Sequence, residues 1–600
     1  MDKVDLRLTA LRAEMDVAGV HAVIIPSADP HQSEYVSDYW KLREYFSGFT
    51  GSAGTLVVTM DSAALWTDSR YFLQVEEECA SNEVHLHKQS IPHAPEHVIW
   101  LVDNMENGEK IAIDFRLFSV DQVEHIKRFA AEKDIAIVDF FAAYDSIWTD
   151  RPALPNAPVK NHPIRFAGAG RDEKITAVRD AMRNANADFN LITRLDEIAW
   201  LFNIRGNDVD CTPLVVSYAL VGLNQSYLFV DTSRIDADLK SALEKDGIRL
   251  MSYANFTEEL QVLVKEKKVI VDKAGLNYAT FASLDYPVFM PSFVQDFKTI
   301  KNETEQANAK SVMVRDGVAL TRFFIWLEKY LEMNTISEYE AGRQLEAFRK
   351  EQAHYQMESF SAIVGYKGNG AIIHYRAPES GSAVIMNEGI LLIDSGGQYL
   401  DGTTDITRTI WLGGVPSDEI KMAYTAVLKG YIELETMTFP EGTVGMQLDS
   451  FARMHLWRKG LNFPHGTGHG IGSYGMVHEP NQGFATSITT SRGSAIHKEN
   501  QFTTIEPGCY KKDNFGIRTE NVVVSRKRFE NGFGSFLGFE PITLCYIDTT
   551  LIDLNELSAQ EIKWLNDYHK KVVDGLSPYL NDTEKAWLLN KCQPIAATAV

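Results

Sequence analysis

Gly389-Ile390-Leu391-Leu392-Ile393-Asp394 is a run of apolar residues that ends in a carboxylate. Its length and composition predict a buried strand, and an unpaired charge at the end of such a strand is costly. The run passes through Ser395-Gly396-Gly397-Gln398-Tyr399-Leu400-Asp401-Gly402, which reads as a turn region, into Thr403-Thr404-Asp405-Ile406-Thr407-Arg408-Thr409. Two strands joined in this way place Asp394 and Asp405 side by side. Either aspartate alone has an ordinary explanation as a cap or half of an ion pair. Brought together they repel, and a cation is the simplest resolution.

Three stretches downstream extend the set. His465-Gly466-Thr467-Gly468-His469-Gly470-Ile471-Gly472 lets backbone pack close and strips bulk from around two imidazoles. Alone it reads equally as a tight loop with hydrogen-bonded histidines. Phe502-Thr503-Thr504-Ile505-Glu506 is a strand that ends in a carboxylate and is stopped by Pro507-Gly508. Gly516-Ile517-Arg518-Thr519-Glu520-Asn521-Val522 reads as a strand with Arg518, Glu520 and Val522 on one face. For Glu520 alone, an ion pair with Arg518 is the ordinary reading. Asp394, Asp405, His469, Glu506 and Glu520 together supply four carboxylates and one imidazole. Four negative charges match two divalent cations, and hard oxygen donors suit Mn²⁺ first, with Co²⁺ or Zn²⁺ as alternatives. Two such ions ~3.5–4 Å apart bridge a water, lower its pKa and polarise a carbonyl. No Gly-x-Ser-x-Gly occurs, so a serine hydrolase elbow has no support.

The remainder of the chain bounds the partners and the organisation. Its 600 residues suggest more than one domain. A formal net charge of −22 disfavours nucleic acid. Cys79, Cys211, Cys509, Cys545 and Cys592 are odd in number and widely spaced, which argues against a disulfide framework or a thiolate zinc site. Met1-Asp2-Lys3-Val4-Asp5 lacks the apolar run of a signal peptide, and no segment reaches the ~18 apolar residues of a membrane span. A reduced, cytoplasmic setting without membrane attachment is expected.

A weak internal repeat marks the first half. One copy runs through Leu11–Met15, the apolar Ala22–Ile25, the Gly-rich Ser47–Gly54 and Ala64–Arg70; the other starts at Val178–Met182, continues through Leu195–Gly206 and Pro213–Tyr218, and closes with Tyr227–Arg234. Both copies alternate helical and β-rich runs, which predicts two similar α/β domains. Arg151–Pro163 reads as a linker, and Ile300–Tyr330 as the helix that opens a third part. Leu557, Ile562, Leu565, Val572 and Leu576 give 551–589 helical periodicity and suggest a packed appendage. Asn481–Asn500 is polar and reads as a loop. Trp457, on a helical stretch, suits a core position or an interface equally.

The order Asp…Asp…His…Glu…Glu, with His-Gly-Thr-Gly-His-Gly between its halves, resembles the pita-bread metallopeptidases. Across nearly the whole chain the similarity is to their three-domain, cytosolic aminopeptidase P branch. Phe46–Gly54, Trp66–Phe72 and Leu195–Gly206 carry it outside the third domain. The resemblance implies an α/β (α+β) chain. Its parts are creatinase-like domains at 1–153 and 154–296, then a pita-bread catalytic domain with a helical extension at 297–600. It implies that Asp394 binds one metal through both oxygens, that His469 and Glu506 bind the other, and that Asp405 and Glu520 bridge them. It makes Glu506 the general base as well. His374 then lines the substrate site, His465 and His478 hold substrate or stabilise the gem-diolate, and Arg518 stands beside the final ligand to orient Asp405 or Glu520 or to meet substrate. The implied reaction removes the N-terminal residue from peptides with proline second. A homodimer through the catalytic domain, with Trp457 at its interface, is also implied. The rival readings are a dipeptide-cleaving prolidase and a non-catalytic pita-bread binding protein.

Overall fold

The computed structural model describes residues 2–90 and 95–596. Contacts divide them into two compact units: the chain up to Asn161 together with Ala169–Val294, and His162–Gly168 together with the chain from Gln295 onward.

The first unit holds two six-stranded sheets. One runs Val84–Lys88, Ala63–Thr67, Thr55–Thr59, Ala22–Pro26, Lys110–Ile113, Ala136–Asp139. The other runs Ile248–Ser252, Ser226–Val230, Tyr218–Gly222, Phe189–Ile192, Lys268–Val271, Tyr286–Phe289. Counted within each sheet, both have the order 4-3-2-1-5-6. Both have antiparallel pairs between strands 1 and 2 and between 2 and 3, and parallel pairs elsewhere. The weak repeat in sequence therefore corresponds to a repeated topology. The central strand Ala22–Pro26 is buried at every position, as a strand covered on both faces must be. Ser119 and Asn277 occupy matching places in the two copies. Each caps the helix that follows it, and a backbone bridge joins them. The expected linker is irregular at first, but Lys160–Asn161 near its end pair with Ile204–Arg205.

The second unit repeats a different plan. Helices Glu303–Leu331 and Glu338–Lys350 precede a sheet of Ile363–Tyr366, Gly389–Ser395 and Ile406–Gly413. Helices Asp418–Thr436 and Gly445–Trp457 accompany a six-stranded sheet that includes Gly468–Gly470, Phe502–Ile505 and Asn521–Asn531. Capping boxes at Asn302/Glu305 and Ser337/Glu340 set where the first two helices begin. Phe323, Phe324, Leu327, Tyr424, Val427 and Tyr431 from the helices pack with Ile390, Leu391 and Ile393 from the strand into one core. The predicted helix from Ile300 is present, and so is the appendage, as Ala559–Leu576 and Asp582–Lys591. Leu557, Ile562, Leu565, Val572 and Leu576 are all buried.

Three expectations change. The strand expected through Arg518 and Glu520 is broken between them. Phe515–Arg518 pairs with Gly508–Lys511, while Asn521–Asn531 pairs with Phe502–Ile505 and Gly534–Pro541. Thr519 and Glu520 cross from one sheet to the other, so no single face carries both Arg518 and Glu520. The 481–500 stretch is not all loop, since Glu479–Phe484 is a strand and Ser491–Ser494 a helical turn. Trp457 is 50% exposed, with its indole N–H donating to Asn462, which removes the core alternative. No helix among the described residues is long and apolar enough to cross a membrane.

The appendage is tied down by Trp564, whose indole N–H donates to Glu435 at 2.6 Å. Burial pushes the Glu435 carboxyl up from 4.5 to about 7. A carboxyl that holds its proton more tightly folded than unfolded lowers stability as pH rises from about 4.5 to about 7, and the loss persists above that. Glu435→Gln keeps an acceptor for Trp564 and removes the buried charge. It is expected to raise stability at pH 8 by on the order of 3 kcal/mol, with the gain fading toward pH 4.5. Chemical denaturation at several pH values checks this, and a gain that does not change with pH would contradict it.

Candidate metal centre

The five ligand candidates come from both halves of the second unit. Asp394 lies in the strand Gly389–Ser395, opposite Thr407. Asp405 stands just before the strand Ile406–Gly413. The link between them is longer than a tight turn and contributes Gly397–Tyr399 to a separate small sheet. His469 sits in Gly468–Gly470, Glu506 follows Phe502–Ile505, and Glu520 occupies the crossing between two sheets. Backbone bonds hold the last two in place: Glu506 N–H donates to Thr467 and Glu520 N–H to Thr407. Gly468 is required because a Cβ there would run into the Thr504 carbonyl.

Asp405, His469 and Glu520 each present one ligand atom within 4.8 Å of the others, and all three are buried. His469 Nε2 is 3.4 Å from Asp405 and 3.6 Å from Glu506. His469 Nδ1 donates to the Gly470 carbonyl at 2.9 Å, which leaves Nε2 with its lone pair toward the carboxylates. Burial, reinforced by neighbouring charge, holds three carboxyls above their usual range. For Asp405 the neighbours are Asp394 and Glu506, and for Glu520 they are Asp405, Glu506 and Asp394. For Glu506 burial leads, with Asp394 adding to it and Arg518 opposing. Asp394 Oδ1 is buried with no hydrogen-bond partner among the described residues. Crowded carboxylates that resist ionising, one orphaned oxygen and an imidazole lone pair fit divalent cations as donors.

The sequence reading placed Arg518 against Asp405 or Glu520. It binds Asp394 instead: Nη2 is 2.6 Å from Asp394 Oδ2. Glu520 accepts from the Thr407 hydroxyl at 2.8 Å, and that hydroxyl accepts in turn from Arg518 Nε at 3.0 Å. Arg518 Nη1 donates to the Tyr510 hydroxyl at 2.7 Å, and that hydroxyl lies 2.8 Å from His465 Nε2. Because His465 Nδ1 donates to the Gly466 carbonyl, Nε2 is the acceptor. A chain of contacts thus runs Asp394, Arg518, Tyr510, His465. The His478 ring packs edge-on against His469, with centroids 4.4 Å apart. His374 lies on the segment that follows Ile363–Tyr366, the strand beside that of Asp394.

Two features of this framework were missed from sequence. Tyr510 lies in the short strand after Pro507-Gly508, where the reading of the Glu506 stretch stopped. Asp449 and Arg453 form a buried ion pair on Gly445–Trp457, from which Arg453 donates to the Phe463 and His465 carbonyls and Asp449 accepts from Thr467. Their i, i+4 spacing was the available signal, but surface helices show it just as often.

Models of the creatinase/prolidase N-terminal domain match residues 7–145 and 150–305. Models of metallopeptidase family M24 and of its C-terminal region match 307–527 and 535–595. A probable Xaa-Pro aminopeptidase P of Laccaria bicolor is 38% identical over 604 residues, covering 98% of this chain and 93% of the relative. Aminopeptidase P2 of Arabidopsis thaliana is 37% identical, covering 99% and 89%. The crystal structure of X-prolyl aminopeptidase from Caenorhabditis elegans, a cytosolic enzyme with a di-nuclear active site, superposes with a TM-score of 0.94. It is 33% identical, covering 99% of this chain and 100% of that one. A Xaa-Pro dipeptidase from Bacillus anthracis, 24% identical with a TM-score of 0.50, covers 63% of this chain and shares the fold alone.

Proposed function

The chain belongs to metallopeptidase family M24, and from that premise we propose that it is a dinuclear Xaa-Pro aminopeptidase, removing the N-terminal residue from peptides whose second residue is proline. The observation that carries this is the buried cluster of Asp405, His469 and Glu520, with buried Asp394 and half-buried Glu506 beside it, in a chain that relatives of that activity match from end to end. The proposed division is into parts at 1–153, 154–296 and 297–600, with catalysis in the last.

Asp394, His469 and Glu506 would serve as ligands to one ion or the other, and Asp405 and Glu520 as ligands shared by both. Divalent ions held there would lower the pKa of a water and polarise the scissile carbonyl. Glu506 takes the proton of the attacking water and delivers it to the prolyl nitrogen, which leaves as a secondary amine. Before cleavage that nitrogen is tertiary and has no N–H, so the site cannot rely on a donor from it. His465 and His478 stabilise the oxygens of the tetrahedral carbon, and His374 lines the substrate site. Arg518 orients Asp394 and, through Tyr510, His465. Mn²⁺ is the proposed metal, on the hardness of the donors. A cytoplasmic homodimer with the exposed Trp457 at its interface completes the reading.

Chelation is expected to abolish hydrolysis of Xaa-Pro-Yaa peptides and Mn²⁺ to restore it. Cleavage of Xaa-Pro dipeptides alone would make the protein a prolidase. Failure to take up metal would leave a binding protein.

A further inference from the structure

We infer that Glu338 is a positioning residue for the proposed reaction, setting the place of His374 by clasping both sides of the segment that carries it. The inference rests on the substrate-lining role of His374 given above. Residues 372–383 have neither helix nor strand assignment, so no ladder fixes them. Backbone groups in such a stretch need other partners, and here one carboxylate supplies several.

Glu338 opens the helix Glu338–Lys350 and is 0% exposed. Its Oε1 accepts from the Tyr366 N–H at 2.7 Å and from Asn369 Nδ2 at 3.1 Å. Its Oε2 accepts from the Tyr375 hydroxyl at 2.7 Å, Asn369 Nδ2 at 3.0 Å and the Ala383 N–H at 3.2 Å. Its own N–H returns a bond to the Ala383 carbonyl at 3.0 Å. The clasp therefore touches Tyr366 and Asn369 just before the segment, Tyr375 beside His374, and Ala383 at the segment's end. Beyond that end, Val384–Ile385 pairs with Ile336–Ser337, immediately before Glu338. No Lys, Arg or His makes an ion pair with Glu338 among the described residues. Burial leads and holds the Glu338 carboxyl above its ordinary range, while the donors from Tyr375, Tyr366, Asn369 and Ala383 and the helix N-terminus oppose it. A carboxyl group that accepts from that many donors is held in one place, and the strand it steadies, Ile363–Tyr366, pairs Ile363 with Asp394. Glu338 thus registers the His374 segment against the sheet that carries a proposed ligand.

The test is a double-mutant cycle on the full-length metal-loaded protein, using Glu338→Gln, His374→Ala and both together. The readouts are kcat and KM for a Xaa-Pro-Yaa tripeptide and bound metal by elemental analysis. Glu338→Gln puts an N–H₂ where donors converge, and it is expected to lower kcat by about tenfold or more while two metal equivalents are retained. The double variant is expected to be no slower than His374→Ala alone, since residues that act as one unit are non-additive. Should Glu338→Gln fail to fold, Tyr375→Phe with Asn369→Ala removes the donors instead and enters the same cycle. Fully additive losses, or a loss that follows metal content, would overturn the inference. So would a His374→Ala variant with unchanged kinetics, because Glu338 would then have nothing to act through. Tripeptide cleavage by the wild-type protein tests the underlying function separately.

Discussion

Asp405→Asn is expected to lose bound metal and to lower kcat/KM by about 10³-fold or more, equivalent to about 4 kcal/mol of transition-state stabilisation. Asp405 is 3% exposed and shares its 4.8 Å cluster with His469 and Glu520. The substitution hardly changes shape, so packing is preserved while one of four negative charges is removed. The same change has the opposite effect on the metal-free fold. Burial and the charges of Asp394 and Glu506 make the Asp405 carboxylate unfavourable without a cation. Chelated Asp405→Asn should therefore resist denaturant better than chelated wild type, while metal should stabilise it less than it stabilises wild type. The measurements are metal content, tripeptide kinetics, and urea unfolding with and without chelator. A variant that keeps two equivalents of metal and cleaves within tenfold of wild type would refute the assignment of Asp405 as a ligand.

Arg518→Met is expected to cost the chelated protein about 3–5 kcal/mol, the range for breaking a buried ion pair from one side. Arg518 is 2% exposed and forms an ion pair with Asp394, whose other oxygen has no hydrogen-bond partner among the described residues. Removing the guanidinium strands a buried carboxylate and cuts the Thr407 and Tyr510 contacts together. Bound metal offers Asp394 another cation, so the deficit should shrink when the site is loaded. Activity should still fall about 100-fold, because Tyr510 and His465 lose the group that ties them to Asp394. Arg518→Lys should rescue little, since an ammonium cannot reach three partners in fixed directions. Equal destabilisation in the loaded and chelated forms would contradict this account and leave Arg518 with a packing role.

Much of this was legible along the chain because it depends on local pattern. Apolar runs that end in a charge, as at Asp394 and Glu506, signal both burial and a reason for it. Acids early and apolar residues later marked the helix from Ile300, and helical periodicity marked the appendage around Leu565. The repeat in the first half was faint in residues yet matched a repeated strand order, because topology tolerates substitution wherever apolar volume is kept. What was illegible involves partners distant in sequence. Arg518 binds Asp394 across 124 positions, and Glu338 reaches Tyr366, Tyr375 and Ala383 from the start of its helix.

Ligand chemistry and its charge count were thus set by residue types alone: four carboxylates and one imidazole imply cations wherever they meet. Their geometry depended on the break at Thr519-Glu520, which lets Glu520 leave one sheet and join the site from another. That break is a competition between ladders. The residues before it pair with Gly508–Lys511 and those after it with Phe502–Ile505. Strand propensity cannot reveal such a switch, because it is the same on both sides and only the identity of the pairing partner differs.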